Sequence, residues 1–392
     1  MPTAILTLGR LPKALAVARA LRSQGYRIVV AEPFALHVSR VSRDVARSYT
    51  LPAPNLDPDG YRAALLDVIE REQAQLLVPI SEEAYYALNI RPELPPGVTL
   101  FGPEEHLYKK LADKLQFIDL AASKGLPVPA SARVTSAEAE AIADRGDFVT
   151  KPINGCSGIA VEYHRSGTEL NQEDGNLLVQ ERLDGRVVSS LSLVRQGAVQ
   201  ATSTYRGQVY AGTVAICFER ETTDIAAAVE DWITRFMADI DYTGFVGFDF
   251  IVDAEGVPRA IECNPRLTSG VHFFEPQSLG HAITAAAPAP PLPHACDSWQ
   301  WRYSTLTEAY SALFSGNLGE FSRRMKLCWS VPDVVWSWRD PLPFLLMTPL
   351  SWPILKPALF EGISLGEACQ RDISPLWAGT SSQQIRRAGN EA

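Results

Sequence analysis

Residues 260–270 read AIECNPRLTSG, placing Glu262, Asn264 and Arg266 at alternating positions as an apolar run ends. In an extended chain a period of two sends residues i, i+2 and i+4 to one face. A carboxylate, an amide and a guanidinium on one face can hold a cation and an anion side by side. A solvated strand end with ordinary charges looks the same in isolation, so the reading turns on what surrounds it. Upstream, GFVGFDFIVDAEGVPRAIECNPR (244–266) contains two strand-like runs, FDFIVD and PRAIECN, joined at Ala-Glu-Gly. This predicts a hairpin with Asp249 on the first strand facing Glu262 and Asn264 on the second.

Two lysines precede the hairpin. Lys114 lies in the segment HLYKKLADKLQFIDLAASKGLPVPA (106–130), whose spacing predicts one helix stopping at Gly125. Lys151 ends the strand-like DFVTK and opens the small-residue loop Pro-Ile-Asn-Gly-Cys-Ser-Gly. Together these parts suit a nucleoside triphosphate with a divalent cation. Lysines supply charge to phosphates, a small-residue loop lets backbone N–H groups approach them, and hard oxygen ligands hold the metal. Each part alone is commonplace, as a surface lysine, a strand-end lysine, an ordinary turn or an edge-strand aspartate. Their order along the chain makes them informative.

Further upstream, residues 1–105 alternate strand and helix signals: AILTL, a helical run ended by Gly25, RIVVAE, LLDVIEREQA, QLLVPIS, EEAYYALNI and VTLFGP. Such alternation predicts a parallel, doubly wound sheet. A nicotinamide-binding reading is set aside, because Arg10, Leu11, Pro12 and Lys13 follow Gly9 where a pyrophosphate would need further glycines. Beyond Lys151, LLVQERLDG reads as a strand running into a polar break. Residues 186–220 read as antiparallel strands around a loop, YRGQVYAGT, and a helix is expected at about 223–239.

Composition bounds the function. The 392 residues exceed one ordinary core, and 46% hydrophobic with 21% charged residues describes a globular chain. A net charge of −9 argues against nucleic acid as a partner. The six cysteines are scattered without metal-ligand spacing, which fits free thiols in a reducing cytosol, and no signal peptide is read at the N-terminus. A cytoplasmic location is expected. An Ala/Pro-rich stretch at 282–296 reads as a linker, and seven of the eight tryptophans lie beyond it.

Taken together, residues 1–285 resemble the ATP-grasp superfamily, most like the branch of carbamoyl-phosphate synthetase and biotin carboxylase, whose Glu-x-Asn-Pro-Arg strand end IECNPRLTSG matches. The resemblance implies an α/β and α+β architecture. A Rossmann-like pre-ATP-grasp domain (1–105) precedes the ATP-grasp domain (106–285), a linker (286–296) and a mainly helical Trp/Pro-rich C-terminal unit (297–392). It implies that Lys114 and Lys151 bind ATP phosphates, with Asn154, Gly155, Ser157 and Gly158 in the loop closing over them. Gln180, Glu181, Arg182 and Leu183 would form the adenine hinge. Asp249, Glu262 and Asn264 would ligate Mg²⁺ or Mn²⁺, and Arg266 would steady the transferred phosphoryl group. Gly185, Arg186, Val187 and Val188 stand where many relatives carry a ribose-binding glutamate after Asp-Gly, so no ribose contact is assigned. The histidine and glutamine pattern of biotin carboxylase is not evident, and neither named activity is carried over.

The reaction implied is carboxylate–amine ligation through an acyl phosphate, on small-molecule carboxylate and amine substrates. The alternatives are a non-catalytic ATP-binding or regulatory protein and an ATP-grasp kinase stopping at a phosphorylated product. Arg206 in TYRGQ, with Ser269, Gly270 and His272 after the metal strand, are the candidate substrate residues. A solvated arginine and a structural histidine are the plain readings of Arg206 and His272. The apolar run PLPFLLMTPLSWPILKPALF (341–360) holds one charge, Lys356, and too many prolines for a membrane span. It is expected to cap the core. The other reading is an exposed apolar surface with Trp336, Trp338 and Trp352, for a hydrophobic or carrier-bound substrate or a membrane interface. A homodimer stays open.

Overall fold

In the computed structural model, which describes residues 1–155, 161–172, 175–212, 214–287, 296–361, 363 and 365–375, the N-terminal alternation becomes a parallel sheet. Its elements are β1 (Thr3–Leu6), α1 (Pro12–Ser23), β2 (Arg27–Glu32), β3 (Val45–Thr50), α2 (Pro58–Arg71), β4 (Leu76–Val78), α3 (Ala84–Leu88) and β5 (Thr99–Leu100). The spatial order β3-β2-β1-β4-β5 makes β1 and β4 neighbours from which the chain departs in opposite directions. The crevice at their carboxyl ends is the topological switch point, where open α/β sheets bind ligands. The edge strand β3 (VARSYT) was not anticipated, because polar residues dominate it and its face is barely buried.

Two helices stand where one was expected: α4 (Glu105–Ala112) and α5 (Lys114–Ser123). The break is chemical. Asp113 adopts an extended conformation and its carboxylate accepts the Gln116 N–H at 2.9 Å, capping a new helix. Lys114 is thereby the first residue of α5, with its N–H on Ile153 O at 3.2 Å. A small antiparallel sheet follows, in order β6-β9-β7-β8, from β6 (Ser131–Arg133), α6 (Ala137–Arg145), β7 (Phe148–Pro152), β8 (Glu162–His164) and β9 (Leu177–Glu181).

The larger sheet contains β10 (Arg186–Arg195), β11 (Ala198–Ala211), β12 (Val214–Arg220), β13 (Gly244–Val252) and β14 (Pro258–Asn264), with α7 (Asp224–Met237) across one face. The expected loop YRGQVYAGT is strand over most of its length, within β11. Its irregularity is taken up by register slips at Gly207/Val209 and Val209/Tyr210. Trp232, Ile233 and Phe236 of α7 pack with Phe117 of α5 and with Phe248 and Phe250 of β13, all fully or nearly fully buried. Each such side chain contributes about 2–3 kcal/mol of burial. After a 3₁₀ turn at Ser269–Phe273, α8 (Pro276–Thr284) lies against α1. The contact needs Gly280, since a Cβ there would sit 2.1 Å from Ala20 O.

The composition boundary at 297 falls just before β15 (Ser298–Gln300), which pairs with β12 and completes the order β14-β13-β10-β11-β12-β15. The C-terminal unit is thus joined to the large sheet through its first residues. It continues with α9 (Arg302–Phe314), α10 (Leu318–Ser330), α11 (Leu342–Leu345), α12 (Met347–Leu350), α13 (Trp352–Glu361) and α14 (Leu365–Gln370). The segment after α13 returns to the N-terminal domain. There the Arg10 guanidinium donates to Asp372 at 2.6 and 2.8 Å, to Glu32 Oε1 at 2.8 Å and to Cys369 O at 3.1 Å. Glu32 also accepts the Gly9 and Arg10 N–H groups at 2.8 and 3.0 Å. The place a dinucleotide pyrophosphate would take at this helix start is filled by the chain's own carboxylate. Among the described residues, no helix is long and apolar enough to cross a membrane.

Candidate active site

The hairpin pairs Asp249 directly with Glu262, and Gly247 with Asn264. Asn264 Nδ2 donates to Asp249 Oδ2 at 3.1 Å, and Ser189 Oγ, from the neighbouring β10, donates to Asp249 Oδ1 at 2.6 Å. Arg266 Nη2 donates in turn to Asn264 Oδ1 at 3.0 Å. The alternating triplet therefore lies together, as the strand period requires. Asp249 is half-buried. Loss of solvation, then the facing Glu262, raises its carboxyl above the usual range despite the bonds from Ser189 and Asn264.

Both lysines reach the same place from the other side. Lys114 Nζ donates to Gly155 O at 2.7 Å and stands 4.0 Å from Glu262 Oε2. Lys151 Nζ donates to Gln180 Oε1 at 3.0 Å and to Ile261 O at 3.1 Å. Both are buried, and Lys151 is pushed down to about 8, first by burial and next by Lys114. Two crowded ammonium groups thus oppose two crowded carboxylates. A polyanion carrying a divalent cation would relieve both strains, and that chemistry fits Mg²⁺-ATP. Among the described residues no group of three or more His, Cys, Asp and Glu is arranged to hold a metal. Two carboxylates and an amide suit a Mg²⁺ that takes its remaining ligands from phosphate and water.

The other predicted residues divide. Gln180 is buried and spends its side chain on Lys151 and on Ser131 Oγ, the latter at 2.8 Å, so it orients the lysine. Glu181 ties the strand end to Ala130 at 2.9 and 3.0 Å, and Arg182 N–H turns the chain on Asp147 O at 3.0 Å just before the half-buried Leu183. Asn154 follows β7 with its Oδ1 buried and without a partner. Ser157 and Gly158 lie outside the described residues. Arg206 is in β11, not in a lid, with its Nε 2.9 Å from Glu219 Oε1. It lines an open cleft of about 760 Å³ with Arg186, Tyr210, Arg323 and Lys326. Gly270 belongs to the packing, since a Cβ would lie 2.6 Å from Leu191 Cβ and Ser203 Oγ. Ser269, half-exposed, opens the same 3₁₀ turn. His272 is buried, 6.1 and 6.4 Å between ring centres from Phe218 and Trp299, and burial, then Arg19 and Lys13, holds its pKa down to about 3. It stays a neutral imidazole at ordinary pH.

Two residues were missed by the sequence reading. Glu82, just past β4, makes a 2.7 Å ion contact with Arg266 Nη2, although the guanidinium N–H groups are not aligned on Oε1. Lys13 of α1 donates to Leu267 O at 2.8 Å and to Ser81 Oγ at 3.0 Å. Both come from the switch-point crevice, so the N-terminal domain grips Arg266 and its neighbour directly. The rule that ligands sit at that crevice would have singled out Ser81–Glu83 from the sequence.

Residues 111–270 match the sequence profile of the ATP-grasp domain. This part of the chain is an ATP-grasp domain. No curated protein sequence matches the chain. Among solved structures, the biotin carboxylase domain of 2-oxoglutarate carboxylase from Hydrogenobacter thermophilus, in complex with MgADP and bicarbonate, is similar with a TM-score of 0.60 at 17% identity, over 72% of this chain and 70% of that one. An L-amino acid ligase from Bacillus licheniformis gives 0.56 at 15%, over 72% and 74%. An N5-carboxyaminoimidazole synthetase from Staphylococcus aureus, complexed with ADP, gives 0.59 at 15%, over 75% and 79%. At these identities the likeness is one of fold. Biotin carboxylase structures recur among these neighbours of similar fold.

Proposed function

We propose that the protein is an ATP-grasp ligase that joins a carboxylate to an amine through an acyl phosphate. The observation that carries this reading is the Asp249–Glu262 pair with Asn264 and Arg266 beside it, opposite Lys114 and Lys151. Lys114 and Lys151 bind and orient the phosphates of ATP, and Gln180 holds the Lys151 ammonium in place. Asp249, Glu262 and Asn264 would hold Mg²⁺, which would supply neutralisation of phosphate charge. Arg266, a planar bidentate donor beside that set, meets the oxygens of the phosphoryl group as the substrate carboxylate takes it. Positioning and charge neutralisation are what this chemistry asks of a protein, and no protein nucleophile is needed. The amine then attacks the mixed anhydride and inorganic phosphate leaves. The likeness in fold to an L-amino acid ligase, a biotin carboxylase domain and an N5-carboxyaminoimidazole synthetase supports C–N bond formation as the reaction class.

The test incubates the protein with ATP, Mg²⁺, hydroxylamine and a panel of carboxylates. An acyl phosphate is captured as a hydroxamate with release of inorganic phosphate, and the reading expects this for at least one carboxylate. A stable phosphorylated product without free phosphate would replace the ligase by a kinase.

A further inference from the structure

The outer face of the C-terminal unit departs from the usual pattern of surface helices. Residues 342–355 contain no charged residue. Along α11 and α12, Pro343, Met347 and Leu350 are buried, whereas Leu342, Leu345, Leu346 and Pro349 are exposed. The exposed set has spacing i, i+3, i+4, i+7, which is one side of a helical run. On α13 the buried residues are Ile354 and Pro357, and the outward ones are Trp352, Lys356 and Phe360 at i, i+4, i+8. Trp338 stands 86% exposed beside them. Its ring meets Trp336 edge-on at 5.0 Å, and Trp336 meets Phe344 of α11 at 5.2 Å. The inner stripe packs onto the protein. A helical run that is apolar on its outer side too is one that something else covers.

The charges around this face identify what covers it. Between Trp338 and Phe360 the exposed charged residues are Arg339 and Lys356, both cations, and the exposed Glu361 that ends α13 is paired with Arg371 at 2.7 Å. Asp340 is buried, bound to Ser42 Oγ at 2.6 Å and to Arg43 N–H at 3.0 Å. The 3₁₀ turn Val38–Val41, against which α11 packs, brings the exposed Arg40, and Arg43 donates to Arg339 O at 3.0 Å. Burial, then Asp340, raises the carboxyl of the half-buried Asp44 against the opposing pull of Arg19, Arg43 and Arg22. In a chain of net charge −9, this apolar face therefore has a cationic border.

The geometry points to the interfacial zone of an anionic bilayer as the partner of this face. Tryptophan and leucine on short helices that contain Pro349, Pro353 and Pro357 suit a segment lying in the membrane plane, and these helices are too short to span it. Arg40, Arg43, Arg339 and Lys356 meet lipid phosphates. A second copy on a two-fold axis would instead set the same cations against one another.

The test sediments the full chain with phosphatidylcholine vesicles and with vesicles mixing phosphatidylcholine and phosphatidylglycerol. Binding to the mixed vesicles, weakened by salt, is expected. Trp338→Ser/Leu345→Ser should weaken it about tenfold or more. Arg43→Gln/Arg339→Gln should weaken it about fivefold per charge and remove the anionic preference. These side chains lie outside the ATP site, so thermal melting and ATP hydrolysis report that each variant is folded. Folded wild-type protein that ignores both kinds of vesicle overturns the assignment. So does a concentration-dependent dimer that Trp338→Ser/Leu345→Ser abolishes, because the face then belongs to a second copy.

Discussion

Buried carboxylates meet cations in two places in this chain, and the two are settled differently. At the start of α1, Glu32 and Asp372 share Arg10, with Gly9 and Arg10 N–H groups on Glu32 and the Phe34 ring 3.4 Å from the guanidinium carbon. Burial alone would raise Glu32, but Arg10 outweighs it and keeps the carboxyl below its usual range. At the hairpin, Asp249 faces Glu262 across one residue pair, and its carboxyl is raised. The first cluster is complete as it stands and holds the C-terminal segment to the N-terminal domain. On the proposed function, the second would be completed by a cation and a polyanion. Like charges crowded against each other, as at Asp249 and Glu262, mark a candidate binding site, whereas the Arg10 cluster has each charge paired.

The largest effect should come from the unbalanced pair. Glu262→Gln should leave the melting curve nearly unchanged while lowering turnover by about two to three orders of magnitude, as loss of a metal-held charge at a phosphoryl transfer site does. Steady-state ADP production at moderate Mg²⁺ checks this, and near-normal rates would remove Glu262 from the metal set.

The balanced cluster should behave in the opposite way. Arg10→Met strands Glu32 and Asp372, and breaking a buried pair from one side costs about 3–5 kcal/mol. Urea unfolding reads that loss. At temperatures where the variant is folded, its ATP affinity should stay within about twofold of wild type, well below the tenfold that 1.4 kcal/mol represents. A stable Arg10→Met protein with lost ATP binding would erase the distinction drawn here.

Glu82 lies between the two kinds. It contacts Arg266 but not the expected metal position, so it acts as a positioning residue. Glu82→Gln should lower kcat about tenfold with little change in the KM for ATP, since Arg266 keeps Asn264 Oδ1 and Leu267 O as acceptors. Glu82→Asp should recover part of the loss. A change confined to KM for ATP would mean that Arg266 serves ground-state binding only.

The hairpin was legible because its signal is local. Period-two alternation fixes the face of Glu262 and Asn264, and a short turn fixes the partner strand. β2 was read to its ends from an unbroken apolar run. The break at Asp113 was not, because a single capping carboxylate interrupts a segment whose apolar spacing continues across it. β11 was divided, because Gly207 reads as a turn residue although it supports a bulge beside the Tyr210 ring. Glu82 and Lys13 were invisible for a different reason. They lie 184 and 253 positions from Arg266 in sequence, and only the strand order of the N-terminal sheet brings them to it. The lysine partners of the hairpin were found through resemblance and order, which no periodicity encodes.

The central claim is that Asp249 and Glu262 are a pair awaiting a cation. Its most direct test is equilibrium binding of ATP, with and without Mg²⁺, to the wild type and to Asp249→Asn/Glu262→Gln. The account predicts that Mg²⁺ tightens ATP binding to the wild type by about tenfold or more. In the double variant that dependence should vanish, and metal-free ATP should bind more tightly than to the wild type because two repelling charges are gone. An unchanged Mg²⁺ dependence in the double variant would contradict the account.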